Sequence, residues 1–199
     1  MVEIIAHRGA RSLAPENTLA AARLGHKLGA HRWETDASLT LDGHLVLFHD
    51  DTLTRCTNAP EVFTYDPEKP GGMDRLDAYT LPELELLEAG SFFERTDPFS
   101  TLEQVEPPDL ALFKRETIPS LYDGLVLTRE LSWQINIELK DHGNEPELHF
   151  VASRTLAEIA RAGIGHNRVV ISSFNHGWLR WVRDRAPEIE IQALVGKQF

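Results

Sequence analysis

A chain of 199 residues, 42% hydrophobic and 26% charged, has the size and make-up of one globular domain with a real core. Its 31 acidic against 20 basic residues, a net charge of −11, argue against a nucleic-acid partner, which needs a basic footprint. They do not exclude a small phosphate, because a bound cation reverses the local field. The single cysteine, Cys56, rules out a disulfide within the chain, and no run of about 18 apolar residues is present to span a membrane.

The first residues, through His7, lack both the basic region and the long apolar stretch of a signal peptide, so the default location is cytoplasmic. Val2 to Ala6 reads as a short buried strand. Pro15-Glu-Asn-Thr18 opens a helix, with Asn17 as N-cap and Gly29 as the stop. Arg32 to Asp36 is the next strand, Leu41-Asp-Gly43 a turn, and Leu45 to Phe48 a strand apolar on both faces. Residues 51 to 117 are rich in breakers, among them Pro60, Pro67, Pro70, Gly71, Pro107 and Pro108, with one helical stretch near Leu81 to Leu87. They read as an insertion, a lid or small subdomain within one barrel domain over 1–199. Ser120 then caps a helix to about Arg129, and Trp133 to Leu139 is a strand. A helix over Pro146 to Ala162, a strand over Val169 to Ser172, a helix over Asn175 to Arg185 and a strand over Ile189 to Leu194 follow. The alternation predicts an α/β fold with parallel strands.

Chemistry collects at the strand ends. Glu34 and Asp36 are two apart, which in a strand puts both carboxylates on one side, roughly 6.5 Å from each other. Such a pair repels and is costly to bury unless a cation lies between, and Ca²⁺ and Mg²⁺ prefer carboxylate oxygen. Glu138 and Lys140 repeat the spacing, and Glu138 completes a three-carboxylate site. His7-Arg8 ends the first strand and His49-Asp50 the third; histidine is the side chain best suited to move protons near neutral pH. In a (β/α)₈ barrel these ends are where catalytic residues converge. Cation, Arg8, Lys140 and two histidines together suit a phosphate ester.

At this point the sequence resembles the glycerophosphodiester phosphodiesterase family. The resemblance is carried, in order, by His7-Arg-Gly9, Pro15-Glu-Asn-Thr18, Glu34-Thr-Asp36, Asp42-Gly43, His49-Asp-Asp-Thr-Leu-Thr-Arg55, Thr80-Leu-Pro-Glu-Leu84, Gly90-Ser-Phe-Phe93, Ile118-Pro-Ser-Leu121, Ile137-Glu-Leu-Lys140 and Ser172-Ser-Phe174. It implies a (β/α)₈ TIM barrel with an insertion after the third strand, hydrolysing glycerophosphodiesters to glycerol 3-phosphate and an alcohol. It implies His7 and His49 as general acid and base, Glu34, Asp36 and Glu138 as ligands of Ca²⁺ or Mg²⁺, and Arg8, Lys140 and Phe174 for the phosphate and substrate. It also implies attack by the substrate's own glycerol 2-hydroxyl, then opening of the cyclic phosphate by water. Which histidine takes which role stays open at this stage.

Against the family pattern, the last two strands are missing before Phe199. Six strands would leave two parallel edges and much apolar interior uncovered. The chain then reads as a fragment, or as a barrel closed by another copy in a homo-oligomer, or by an unusual edge. The alternatives for function are the same chemistry on lysophospholipids, or a truncated barrel that binds metal and phosphate without turnover. Pro15 to Thr18 reads as a helix start only, and His142 as a surface histidine.

Overall fold

The computed structural model describes residues 2–64, 69, 72 and 74–196; Pro67, Pro70, Gly71 and Phe199 lie outside the described residues. Among the described residues the chain runs β1 (Ile5–His7), α1 (Leu19–Lys27), β2 (Arg32–Leu39) and β3 (Leu45–Leu47). Four short helices occupy the insertion: α2 (Ala59–Val62), α3 (Leu81–Leu84), α4 (Ser91–Thr96) and α5 (Pro107–Phe113). Then come α6 (Leu121–Glu130), β4 (Ile135–Leu139), α7 (Phe150–Ala162), β5 (Val169–Ser173), α8 (His176–Arg185) and β6 (Glu190–Ala193). Five strands run parallel in the order β1-β2-β4-β5-β6, each crossover carrying helix, which is the βα construction of a TIM barrel.

β3 departs from the parallel pattern. It pairs antiparallel with β2, Ala37 opposite Leu47 and Leu39 opposite Leu45. The reason is loop length: the short loop 40–44 cannot make a parallel crossover, which takes a dozen residues or more. The turn is local. Thr40 Oγ1 donates to Asp42 Oδ1 at 2.7 Å and accepts from the His44 amide at 2.9 Å, while Gly43 takes φ +81°. The return strand brings Phe48 back to the level of Asp36, whose carbonyl accepts from the Phe48 amide at 3.0 Å.

Strand alternation divides the sheet. Trp33, Ala37, Ile135, Ile137, Leu139 and Ile171 belong to the main apolar cluster, which α6, α7 and α8 cover with residues such as Leu125, Ile159 and Trp178. Trp33 is fully buried, stacks on Trp133 and donates its indole N–H to Thr128 Oγ1 at 2.8 Å. The opposite face carries Glu34, Asp36, Asn136 and Glu138, aligned by register as Glu34 with Asn136 and Asp36 with Glu138. That face is polar, where an uncovered apolar interior was expected.

Helix ends follow local chemistry. α1 is capped by Thr18, not Asn17: the Thr18 hydroxyl accepts from the Ala21 amide at 3.2 Å. Ser120 and Asp123 form a capping box on α6. α7 starts at Phe150 rather than Pro146, behind His149 at φ +65°. Segment 51–117 gathers Leu53, Leu76, Tyr79, Leu84, Leu87 and Phe92 against Val46 and Phe48, an apolar cluster of its own. Among the described residues no helix is long and apolar enough to cross a membrane.

Candidate active site

Glu34 and Asp36 leave β2 on one side, and β4 places Glu138 level with Asp36. One carboxylate oxygen from each lies within 4.8 Å of the others. At that separation two carboxylates repel by roughly 3–4 kcal/mol at an effective dielectric near 20. Asp36 is fully buried and Glu34 nearly so. Glu34 Oε1 and Asp36 Oδ1 are buried with no hydrogen-bond partner, although buried polar atoms almost always have one. Burial first, and then the charge of Asp36, pushes the Glu34 carboxyl up to about 8, although the Arg8 backbone N–H donates to its Oε2 at 2.9 Å. Orphaned hard oxygens on converging carboxylates are a donor set that fits a divalent cation such as Ca²⁺ or Mg²⁺.

Fixed cations flank the cluster. Arg8 Nε faces Asp36 Oδ2 at 3.2 Å without an aligned hydrogen bond. Lys140 Nζ donates to Glu138 Oε1 at 3.0 Å and lies 3.7 Å from Asp36 Oδ1. Both residues expected to contact phosphate are thus at the carboxylates.

The two histidines come from different constructions. His7 ends β1 in register with Glu34, its Nε2 3.7 Å from Glu34 Oε2 and its side chain half exposed. Partial burial, then the Arg11 and Arg8 cations, hold its pKa below the usual 6.5. His49 arrives on the return limb of the β2–β3 hairpin, and its Nδ1 lies 2.7 Å from Asp50 Oδ1. His49, Glu138, Lys140, Phe174 and His142 line one cavity of about 480 Å³. Phe174 is 56% exposed at its rim.

Several residues join the site that the sequence reading left out. Asn17 is buried at φ +56°; its Nδ2 donates to Asp36 Oδ2 at 2.9 Å and its Oδ1 accepts from Thr35 Oγ1 at 2.8 Å. Glu16 Oε1 accepts from Arg8 at 2.9 Å and from Arg55 at 2.7 Å. Arg55 also donates to Asp50 at 2.6 and 2.9 Å. A continuous hydrogen-bonded path therefore links Arg8, Glu16, Arg55, Asp50 and His49. Burial alone would raise the Asp50 carboxyl, but hydrogen bonds from His49 and Arg55 outweigh it and hold it far below the ordinary range. Pro15 to Thr18 is thus more than a helix start. An asparagine, which tolerates a left-handed backbone, just before a capping threonine was the available signal. His142 is not at the surface either: its side chain is 5% exposed and walls the cavity.

Comparison with known proteins shows the family. The model of the Glycerophosphoryl diester phosphodiesterase family matches residues 7–198. A glycerophosphodiester phosphodiesterase of Caldanaerobacter subterraneus is 35% identical over 191 residues, covering 96% of this chain and 65% of the relative. The chain thus spans just under two thirds of that relative's length. The structure of a phosphodiesterase from Oleispira antarctica, in complex with the product sn-glycerol-3-phosphate, superposes with a TM-score of 0.76 at 28% identity, covering 98% of this chain and 67% of that one. A structure described as a glycerophosphoryl diester phosphodiesterase from Silicibacter pomeroyi shares the fold at a TM-score of 0.80 and 24% identity, covering 100% of this chain and 66% of that one.

Proposed function

The chain belongs to the glycerophosphoryl diester phosphodiesterase family, and we propose that it hydrolyses glycerophosphodiesters to glycerol 3-phosphate and an alcohol, using Ca²⁺ or Mg²⁺ held by Glu34, Asp36 and Glu138. The observation that carries this reading is the pair of buried, unpartnered oxygens, Glu34 Oε1 and Asp36 Oδ1, in a cluster flanked by Lys140 and His7. Charge supports it. With all three carboxylates ionised, as metal binding requires, they outweigh Arg8 and Lys140 by one charge, and a bound divalent cation makes the balance plus one, which matches a phosphodiester monoanion. When bound, the cation supplies charge neutralisation for the phosphoryl oxygens.

The chain's own residues divide the remaining work. Lys140 and Arg8 orient the phosphate beside the carboxylates. His7, whose surroundings favour the neutral ring, accepts the proton of the substrate's 2-hydroxyl as that oxygen bonds to phosphorus. His49 donates a proton to the departing alcohol oxygen as its bond to phosphorus breaks; Asp50 on Nδ1 orients the ring and compensates its positive charge. Water then opens the cyclic phosphate with the two roles exchanged, which restores both rings. The cavity walled by His49 and Phe174 holds the leaving alcohol, and the insertion at 51–117 is a subdomain that builds part of its wall.

The test is release of glycerol 3-phosphate from glycerophosphocholine and glycerophosphoethanolamine, with added Ca²⁺ or Mg²⁺ and after chelation. Turnover that disappears with chelator and returns with either ion is the expected result. A folded, metal-replete sample that cleaves no phosphodiester would overturn the reading.

A further inference from the structure

Two neighbouring carboxylates leave the His49 loop in opposite directions. Asp50 turns to Arg55. Asp51 turns the other way, and its Oδ1 lies 2.7 Å from His142 Nδ1. The second ring nitrogen of His142 lies 3.1 Å from Ser38 Oγ. Ser38 is fully buried, and its Oγ lies 2.7 Å from the carbonyl oxygen of Phe48, an atom that can only accept. The Asp51 carboxylate can only accept, so Nδ1 of His142 carries the proton; burial favours the neutral ring, which leaves Nε2 an acceptor that shares the Ser38 hydroxyl proton with the Phe48 carbonyl.

One ring thus fastens three segments. It holds β2 through Ser38, the start of the His49 loop through Phe48 and Asp51, and the stretch after Lys140 through its own backbone. Its side chain is 5% exposed, against 62% for Asp51, so the tie is anchored on its buried side. None of its hydrogen-bond partners belongs to the carboxylate cluster. Resting on the functional reading above, we propose that His142 is a positioning residue: with Asp51 and Ser38 it clasps the His49 loop to the Lys140 strand end. The clasp sets the spacing between the ring that protonates the leaving group and the cation that orients the phosphate. Misplacement of a reacting group by about 1 Å costs on the order of a hundredfold in rate.

The experiment compares His142→Ala, Asp51→Ala, the double variant and His142→Gln with the wild type. Each is measured for kcat and KM on glycerophosphocholine at saturating Ca²⁺ or Mg²⁺, for melting temperature, and for amide hydrogen exchange over residues 48–53. Each alanine variant is expected to lose about tenfold to a hundredfold in kcat with KM within about twofold, and the double variant to fall no further, because one contact is being removed twice. Residues 48–53 lose protection in all three, and the glutamine variant, which keeps a donor, recovers part of both. Additive losses, unchanged kcat in the single variants, or losses that merely follow melting temperature would overturn the clasp. Hydrogen exchange needs no turnover. Loosening of 48–53 in a protein that cleaves nothing supports the tie while sinking the functional reading; full activity and unchanged protection in His142→Ala sinks the tie alone.

Discussion

The side chain of Asn17 uses both ends of its amide on Asp36: Nδ2 donates to Oδ2 at 2.9 Å, and Oδ1 accepts from the Asp36 backbone N–H at 3.3 Å. This double contact fixes the tilt of the carboxylate. It leaves Asp36 Oδ1 unbonded on the side where Glu34 and Glu138 converge. Because the grip comes from a left-handed residue, the backbone at position 17 matters as much as the amide.

Asn17→Gly separates the two contributions, since glycine adopts that φ without strain while removing the amide. Affinity for Ca²⁺ or Mg²⁺ is expected to fall about tenfold to a hundredfold, the usual cost of losing a residue that orients a ligand. Calorimetric titration checks this; unchanged affinity would mean the carboxylate is held well enough without Asn17.

His49→Ala removes a group that faces the cavity but bonds none of Glu34, Asp36 and Glu138. The expected outcome is a loss of about a hundredfold to ten-thousandfold in kcat with metal affinity nearly unchanged. Activity retained within a few fold would take the proton-donor role away from His49.

The raised carboxyl of Glu34 makes metal binding a competition with a proton. Below pH 8 the metal-free protein holds a proton on Glu34, so binding releases it and affinity climbs about tenfold per pH unit up to that point. The sign for stability follows. A group raised from 4.5 to about 8 contributes stability that is complete below pH 4.5 and is lost as pH rises through 8. The metal-free protein should therefore melt progressively lower between pH 5 and 8, and added Ca²⁺ or Mg²⁺ should reverse the trend. A flat melting profile without metal would place the proton elsewhere.

Gly9 is required twice over. It sits at φ +76°, and a Cβ there would lie 2.6–2.8 Å from backbone and side-chain atoms of Ala21 in α1. Gly9→Ala should cost more than about 2 kcal/mol of stability, from strain and from overpacking together. Urea denaturation checks the number. Because Gly9 follows His7 and Arg8, turnover should fall further than the unfolded fraction alone explains.

What could be read from the sequence was what depends on neighbours along the chain. The two-residue spacing of Glu34 with Asp36 and of Glu138 with Lys140 puts side chains on one face whatever surrounds them. The parallel strands and the ends of α6 and α8 were legible on the same grounds, whereas the short helices α2, α4 and α5, where one helical stretch was expected, were not. The direction of β3 was legible only through the shortness of the loop to Leu45, a constraint on distance that apolar patterning does not carry. The Glu16–Arg55 contact joins residues 39 apart, and Ser38 meets His142 across 104. Nothing local distinguishes such an arginine or histidine from a solvated one; only the packed chain buries it.

The β2–β3 hairpin works as a ruler. His49 stands opposite the carboxylates because the chain climbs past them to Leu39, turns, and comes back down by a set number of residues. Each residue of return path is worth roughly 3.4 Å. Removing one residue from the 40–44 turn would leave every candidate site residue intact in sequence, yet it would deliver the wrong side of the strand to the cavity. In this architecture the reach of His49 is counted out in backbone units, and lengthening or shortening that count offers a way to move it without touching any residue around the cavity.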